Sequence, residues 1–204
     1  MIYSLVCAPP RWYIPSMRLL FWTAVILLTW LACIFLEWGL HALAHKRSKS
    51  RLLRAIYDVH MRHHIEAYPP SNIIGERPYR NAGGEYVFLP ILGLVWLSLF
   101  AALPLKFATL IFVESAFFLW LSNYLHSQFH IKGSWLERAP LVGGRGGWFA
   151  IRRARHFYHH GHLRKNMSLG GLSRLADVTL KSFVDVVPES RDDGHDPRPD
   201  DNCP

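Results

Sequence analysis

The chain has 204 residues, half of them apolar and 14% aromatic, with a formal charge of +8 and a pI near 9.7. That length allows one domain of ordinary size, and the composition excludes a chain too polar to fold. Cys7, Cys33 and Cys203 are too few and too scattered for a disulfide framework or a thiolate metal site, and they fit a reducing compartment.

Residues 1–16 carry Pro9, Pro10 and Pro15 and are expected to form an irregular or interfacial lead-in. From Met17 to Leu40 the chain is almost continuously apolar, roughly 36 Å if helical, which is enough to cross a bilayer. Glu37 stands four residues before His41, so the two share a helix face. A carboxylate there can orient the imidazole from behind. His41 and His45 form the first of four histidine clusters.

Residues 46–82 are basic: Lys46, Arg47, Lys49, Arg51, Arg54, Arg62, Arg77 and Arg80. A helix over about 51–66 carries the second cluster, His60, His63 and His64, and Tyr68-Pro69-Pro70 ends it. Residues 71–85, with Gly75, Pro78 and Gly83-Gly84, read as a loop.

Two further apolar runs follow, about 86–103 and 105–125, joined at Leu103-Pro104-Leu105. So short a link makes them an antiparallel hairpin. The chain therefore returns to the side it left, and the third cluster, His126 and His130, joins the first two there. Glu114 lies inside the last run, where a carboxylate is costly and hints at function, facing the hairpin partner or a cavity. By the positive-inside rule the clusters lie on the cytoplasmic side, and the basic residues beside apolar spans suit a membrane surface better than nucleic acid.

Gly143-Gly144-Arg145-Gly146-Gly147 lacks a preceding strand and a phosphate-loop lysine, so it reads as a flexible loop and not a nucleotide site. Arg152, Arg153 and Arg155 open a helix whose basic start can meet lipid headgroups or solvent. It carries the fourth cluster, His156, His159 and His160, with His162 just beyond. A short closing helix or turn is expected over Leu172–Phe183. Residues 188–204 are rich in Asp and Pro and are expected to be disordered, with His195 irrelevant to the site.

Helical spacing aims each cluster's rings in one direction. Neutral imidazole suits iron, zinc and copper. Ten such nitrogens exceed the four of a structural zinc and suit two adjacent metals with five each.

The order of pair, trio, hairpin, pair and trio resembles that of the fatty acid hydroxylase/sterol desaturase superfamily of membrane di-metal oxygenases. Glu37-Trp38-Gly39-Leu40-His41 is similar to the approach to the first motif in its sphingolipid and fatty acid 2-hydroxylase branch. Asn166 and Asp177 sit where that branch often has an asparagine and a closing Trp-Asp motif. The likeness covers about residues 20–183. It departs in the three-residue spacing of the first pair, where some members have four, and in a closing motif reduced to Leu175-Ala176-Asp177-Val178.

The resemblance implies an all-α fold: an integral membrane helical bundle over 17–187, topped by a cytosolic helical cap that holds two metals. The implied ligands are His41, His45, His60, His63, His64, His126, His130, His156, His159 and His160. Glu37, His162, Asn166 and Asp177 are the residues expected to support them. The implied cofactor is a pair of iron ions, for which zinc can substitute. The implied reaction is hydroxylation or desaturation of a lipid C–H bond. It would use O2 and electrons from a separate protein, since no flavin, haem or iron–sulfur motif is present.

Rival readings are a carotenoid ring hydroxylase, a non-enzymatic membrane metal-binding protein and a bis-histidine haem protein. Transport favours ligands near the bilayer midplane, whereas these lie at span ends. Haem leaves most clusters unexplained.

Overall fold

The computed structural model describes residues 13–76, 88–144 and 146–186. The lead-in to residue 12, Arg77 to Val87, Arg145 and the tail from residue 187, with His195, lie outside the described residues. Among those described, every regular element is helical. The six α-helices are α1 (Tyr13–Ala44), α2 (Arg51–Arg62), α3 (Leu89–Ala102), α4 (Leu105–Phe129), α5 (Trp148–Gly161) and α6 (Leu175–Thr179). A π-helical turn, His63–Ala67, extends α2, and a short 3-10 turn, Trp135–Glu137, precedes α5.

Two helices are long and apolar enough to cross a membrane, Met17–Ala44 within α1 and Leu105–Phe129. Leu19, Leu20, Leu27 and Leu28 are exposed along the first, and Val113, Phe117 and Trp120 along the second. The second apolar run differs from expectation. Its helix α3 has 14 residues, about 21 Å, short of the ~30 Å of bilayer hydrocarbon. It begins at Leu89, with Pro90 in its first turn, where a missing N–H costs nothing.

The hairpin itself is present. Trp96 Nε1 donates to Ser115 Oγ at 2.9 Å, and Trp96 and Phe100 both pack on Phe112. Two reversals of direction make α4 run parallel to α1. Trp22 stacks on Phe107, Trp30 meets Phe118 edge to face, and Glu37 meets Ser122. The ends of α1 and α4 that carry histidines are therefore neighbours. Phe88 and Leu92 of the α3 region pack with Leu40, Ala44 and Ile56 just beneath those ends.

The glycine-rich segment is a loop, and its first glycines are closely held. Gly143 N donates to Ala139 O at 2.8 Å and Gly144 N to Glu137 O at 2.9 Å. A Cβ on Gly143 would lie 2.7 Å from the Glu137 carbonyl carbon. Two arginines at the basic start of α5 have protein partners. Arg153 forms a salt bridge with Glu137 and donates to Ile131 O at 2.9 Å, while Arg155 pairs with Asp185 at 2.6 Å. Glu114 hydrogen-bonds Thr29 of α1.

Candidate metal centre

Ten histidines gather at the adjoining ends of α1 and α4 in two groups of five. One group is His41, His45, His60, His64 and His159; the other is His63, His126, His130, His156 and His160. Within each group one potential ligand atom per residue lies within 4.8 Å of all the others. All but His45 are buried.

The elements explain how each ring arrives. His41 lies in the last turn of α1, and His45 follows one turn on. His126 and His130 repeat that arrangement at the end of α4. The two trios behave differently from the expectation of one shared direction. In each, the residues four apart go to one group and the middle residue to the other. His60 and His64 join the α1 pair, while His63 joins the α4 pair. His156 and His160 join the α4 pair, while His159 joins the α1 pair. The π turn starts at His63. Its wider winding is a local irregularity of the kind found at functional sites, and here it accompanies the divergence of His63 from His64.

The atoms that converge are Nε2. In the first group, His41 and His60 approach to 3.0 Å, His45 lies 3.1 Å from His41, His60 and His159, and His64 lies 3.1 Å from His60. In the second, His130 and His156 approach to 2.8 Å, while His63–His126 and His156–His160 are both 3.2 Å.

Outward-facing Nδ1 atoms show which nitrogens carry protons. His130 Nδ1 donates to Ile73 O, His159 Nδ1 to Lys165 O and His160 Nδ1 to Tyr68 O, each at 2.8 Å. His41 Nδ1 donates to Met167 O. With Nδ1 protonated, Nε2 presents a lone pair. Lone pairs facing one another at 3 Å repel unless a cation lies between them. Two nitrogens bound at ~2.1 Å and at a right angle are about 3.0 Å apart, so the observed spacing fits a first-row metal. The groups can therefore each hold a metal ion, and their chemistry leaves its identity open between iron and zinc.

Burial, foremost, pushes His45 and His159 down to about 3. His63, His64, His130, His156 and His160 are also held well below the ordinary histidine value, again chiefly by burial and then by neighbouring rings. Neutral rings at pH 7 are the form that binds metal.

The four supporting candidates fall in different places. Glu37 is buried and accepts from Ser122 Oγ and from Gly170 N at 3.1 Å; the ring of His41 is oriented by Met167 O instead. Asp177 is buried and gathers Met167 N at 2.6 Å, Ser168 N at 3.2 Å, Ser182 Oγ at 2.6 Å and Trp38 Nε1 at 3.2 Å. Asn166 adopts a positive φ of 50°, which asparagine tolerates better than most residues. It stands between the two residues whose carbonyls hold His159 and His41. His162 is exposed, stacks on Tyr158 and belongs to neither group.

The supporting carbonyls of Tyr68, Ile73, Lys165 and Met167 were not foreseeable, because backbone acceptors have no side-chain signature. Ser122 did carry a signal: it precedes His126 by four residues, as Glu37 precedes His41.

Beside the groups lies a cavity of about 260 Å³. Its walls include Leu40, Leu92, Trp96 and Leu119, with Glu37 and Ser122 on the side of the histidines.

No protein-family model, curated protein or solved structure matches the chain.

Proposed function

We propose that the chain is a membrane-bound di-iron oxygenase that hydroxylates or desaturates a lipid chain, using O2 and electrons from a separate protein. One juxtaposition supports this reading above all: two groups of five buried imidazoles adjoin an apolar cavity at the ends of two bilayer-length helices.

An unactivated C–H bond has no acidic proton and no leaving group, so acid and base side chains cannot attack it. Bound iron would supply the redox chemistry this step needs. The protein's own contributions follow from its residues. Ten Nε2 atoms would hold the ions. The carbonyls of Tyr68, Ile73, Lys165 and Met167 fix ring orientation and keep the proton on Nδ1. Leu40, Leu92, Trp96 and Leu119 would exclude water and seat a length of acyl chain entering from the bilayer. Orientation, not acid–base power, would choose between alcohol and alkene.

In this reading the histidines form a cytosolic cap site, and Lys46, Arg47, Lys49, Arg51 and Arg54 mark the cytoplasmic side. The substrate class is a fatty acyl chain, sphingolipid or sterol, with no role for nucleic acid.

The test is anaerobic iron loading in lipid, admission of O2 with a chemical reductant, and mass analysis of the lipids. A product heavier by one oxygen, or lighter by two hydrogens, is expected, and its loss in His159→Ala and His160→Ala. Unchanged lipids from folded, iron-loaded protein would sink the proposal.

A further inference from the structure

Behind the second histidine group lies a separate cavity of about 10 Å³, walled by Arg152, Arg155, Arg174, His156, Asn166 and Ser168, and by one carboxylate, Asp177. That is space for about one water-sized occupant. Four of these residues carry a buried polar atom with no hydrogen-bond partner: Arg155 Nε, His156 Nδ1, Asn166 Nδ2 and Ser168 Oγ. Leaving such groups unmet is costly, so their collection around one hole calls for an occupant. All four are donors, or can be, and what faces them must accept.

His156 makes the point sharpest. Its Nε2 turns toward His130 and His160. In His41, His130, His159 and His160 the opposite nitrogen meets a backbone carbonyl; His156 Nδ1, like that of His45, His63 and His64, meets none, and of these four residues His156 is the one that lines this cavity.

Charge points the same way. Three guanidinium groups, of Arg152, Arg155 and Arg174, face two carboxylates. Asp185 pairs with Arg155, while Asp177 is engaged by Met167, Ser168, Trp38 and Ser182. One positive charge is left over. Burial, then Arg155 and Arg174, hold the Arg152 guanidinium below its ordinary value, against the pull of Asp177.

We propose that this cavity binds one small monovalent anion of chloride size, which accepts from Ser168, Asn166, Arg155 and His156 Nδ1–H. The anion takes the place that a carbonyl fills behind His41, His130, His159 and His160, and so orients His156. The inference rests on His156 being a metal ligand, not on the oxidation chemistry. Water would place its hydrogens on Asp177, whose Oδ1 already takes three donors and Oδ2 one, and it would leave the positive charge unmatched. A sulfate or an organic anion exceeds the space.

The experiment compares metal-loaded, full-length protein in sodium chloride, bromide and gluconate at equal ionic strength, with metal content measured in each sample. A saturable rise in thermal midpoint is expected with chloride and bromide and not with gluconate. Anomalous scattering should locate bromide beside His156. Asn166→Asp keeps the side-chain oxygen that accepts from Val184 N and suits the positive φ, yet brings a carboxylate into the cavity. It should fold, bind metal and lose the halide response. Ser168→Ala should raise the half-saturating halide concentration about tenfold. Equal midpoints in all three salts with full metal content, or an undiminished response in Asn166→Asp, would overturn the anion site alone. Loss of metal with the halide response retained would instead overturn the metal centre and leave the anion site standing.

Discussion

Glu37 of α1 accepts a hydrogen bond from Ser122 of α4, and each stands one helical turn before a histidine of its own helix, His41 and His126. The bond therefore sets the separation of the two helix ends that feed the two histidine groups. Glu37→Ala leaves Ser122 Oγ and Gly170 N without their buried acceptor, each omission costing about 1–3 kcal/mol. A fall in thermal midpoint and loss of bound metal are expected. Glu37→Gln, which keeps an acceptor oxygen, should lose much less. Equal metal content in wild type and Glu37→Ala would show that the bond does not set the site.

The division of the trios gives a sharper expectation. His63→Ala should reduce occupancy of the same metal as His126→Ala, although its chain neighbours His60 and His64 belong to the other group. His159→Ala should behave like His41→Ala. Metal counting on single and paired variants reads this directly. Pairs within one group should leave about one tightly held ion, and pairs across groups should weaken both. If His63→Ala and His64→Ala prove to share one site, the partition is wrong.

Asp177 works at two removes from the His41 ring. It holds the amide of Met167, whose carbonyl holds His41. Asp177→Asn replaces one acceptor oxygen with an amide NH2, a donor, so either Ser168 N or the Oδ1 cluster loses its bond. A drop of ten- to a hundredfold in affinity for one of the two metals is expected, as for other residues that orient a ligand. Metal titration by calorimetry should show two unequal steps. Two unchanged steps would confine Asp177 to folding.

Glycines separate packing from propensity. A Cβ on Gly170 would lie 2.5 Å from Ser122 Cα, in the backbone rather than in a movable side chain. Gly170→Ala should cost about 1–3 kcal/mol, the usual range for overpacking. Gly39 on α1 has nothing within 4 Å of the same position. Gly39→Ala should be neutral or stabilising by up to ~1 kcal/mol, from helix propensity alone. Denaturant or thermal melts in detergent compare the pair, and similar losses at both positions would contradict the packing seen at Gly170.

Much of this architecture is written in residue spacing. The intervals 41–45 and 126–130 specify one helix face each, and the two runs meeting at Pro104 specify a return. Together they bring the four clusters to a common end. Spacing read as one shared direction per cluster leaves out the division of the trios. Adjacent residues on any helix point about 100° apart, so His63 parts from His64 at the π turn and His159 parts from His160 within the regular α5 alike. The shortness of α3 is hidden because apolar character runs on through Leu103, past the helix's end at Ala102. The glycine-rich segment looked slack because glycine permits mobility, but it equally permits close approach, and here Gly143 sits against Glu137.

The exchange of one ring between trios also bears on how such a chain can be inherited and assembled. Residues up to His64 bring four imidazoles to one group and one to the other, and residues from His126 onward do the converse. Neither half is a finished module. A copy of either, duplicated or severed, would lack the fifth donor of the group it chiefly builds.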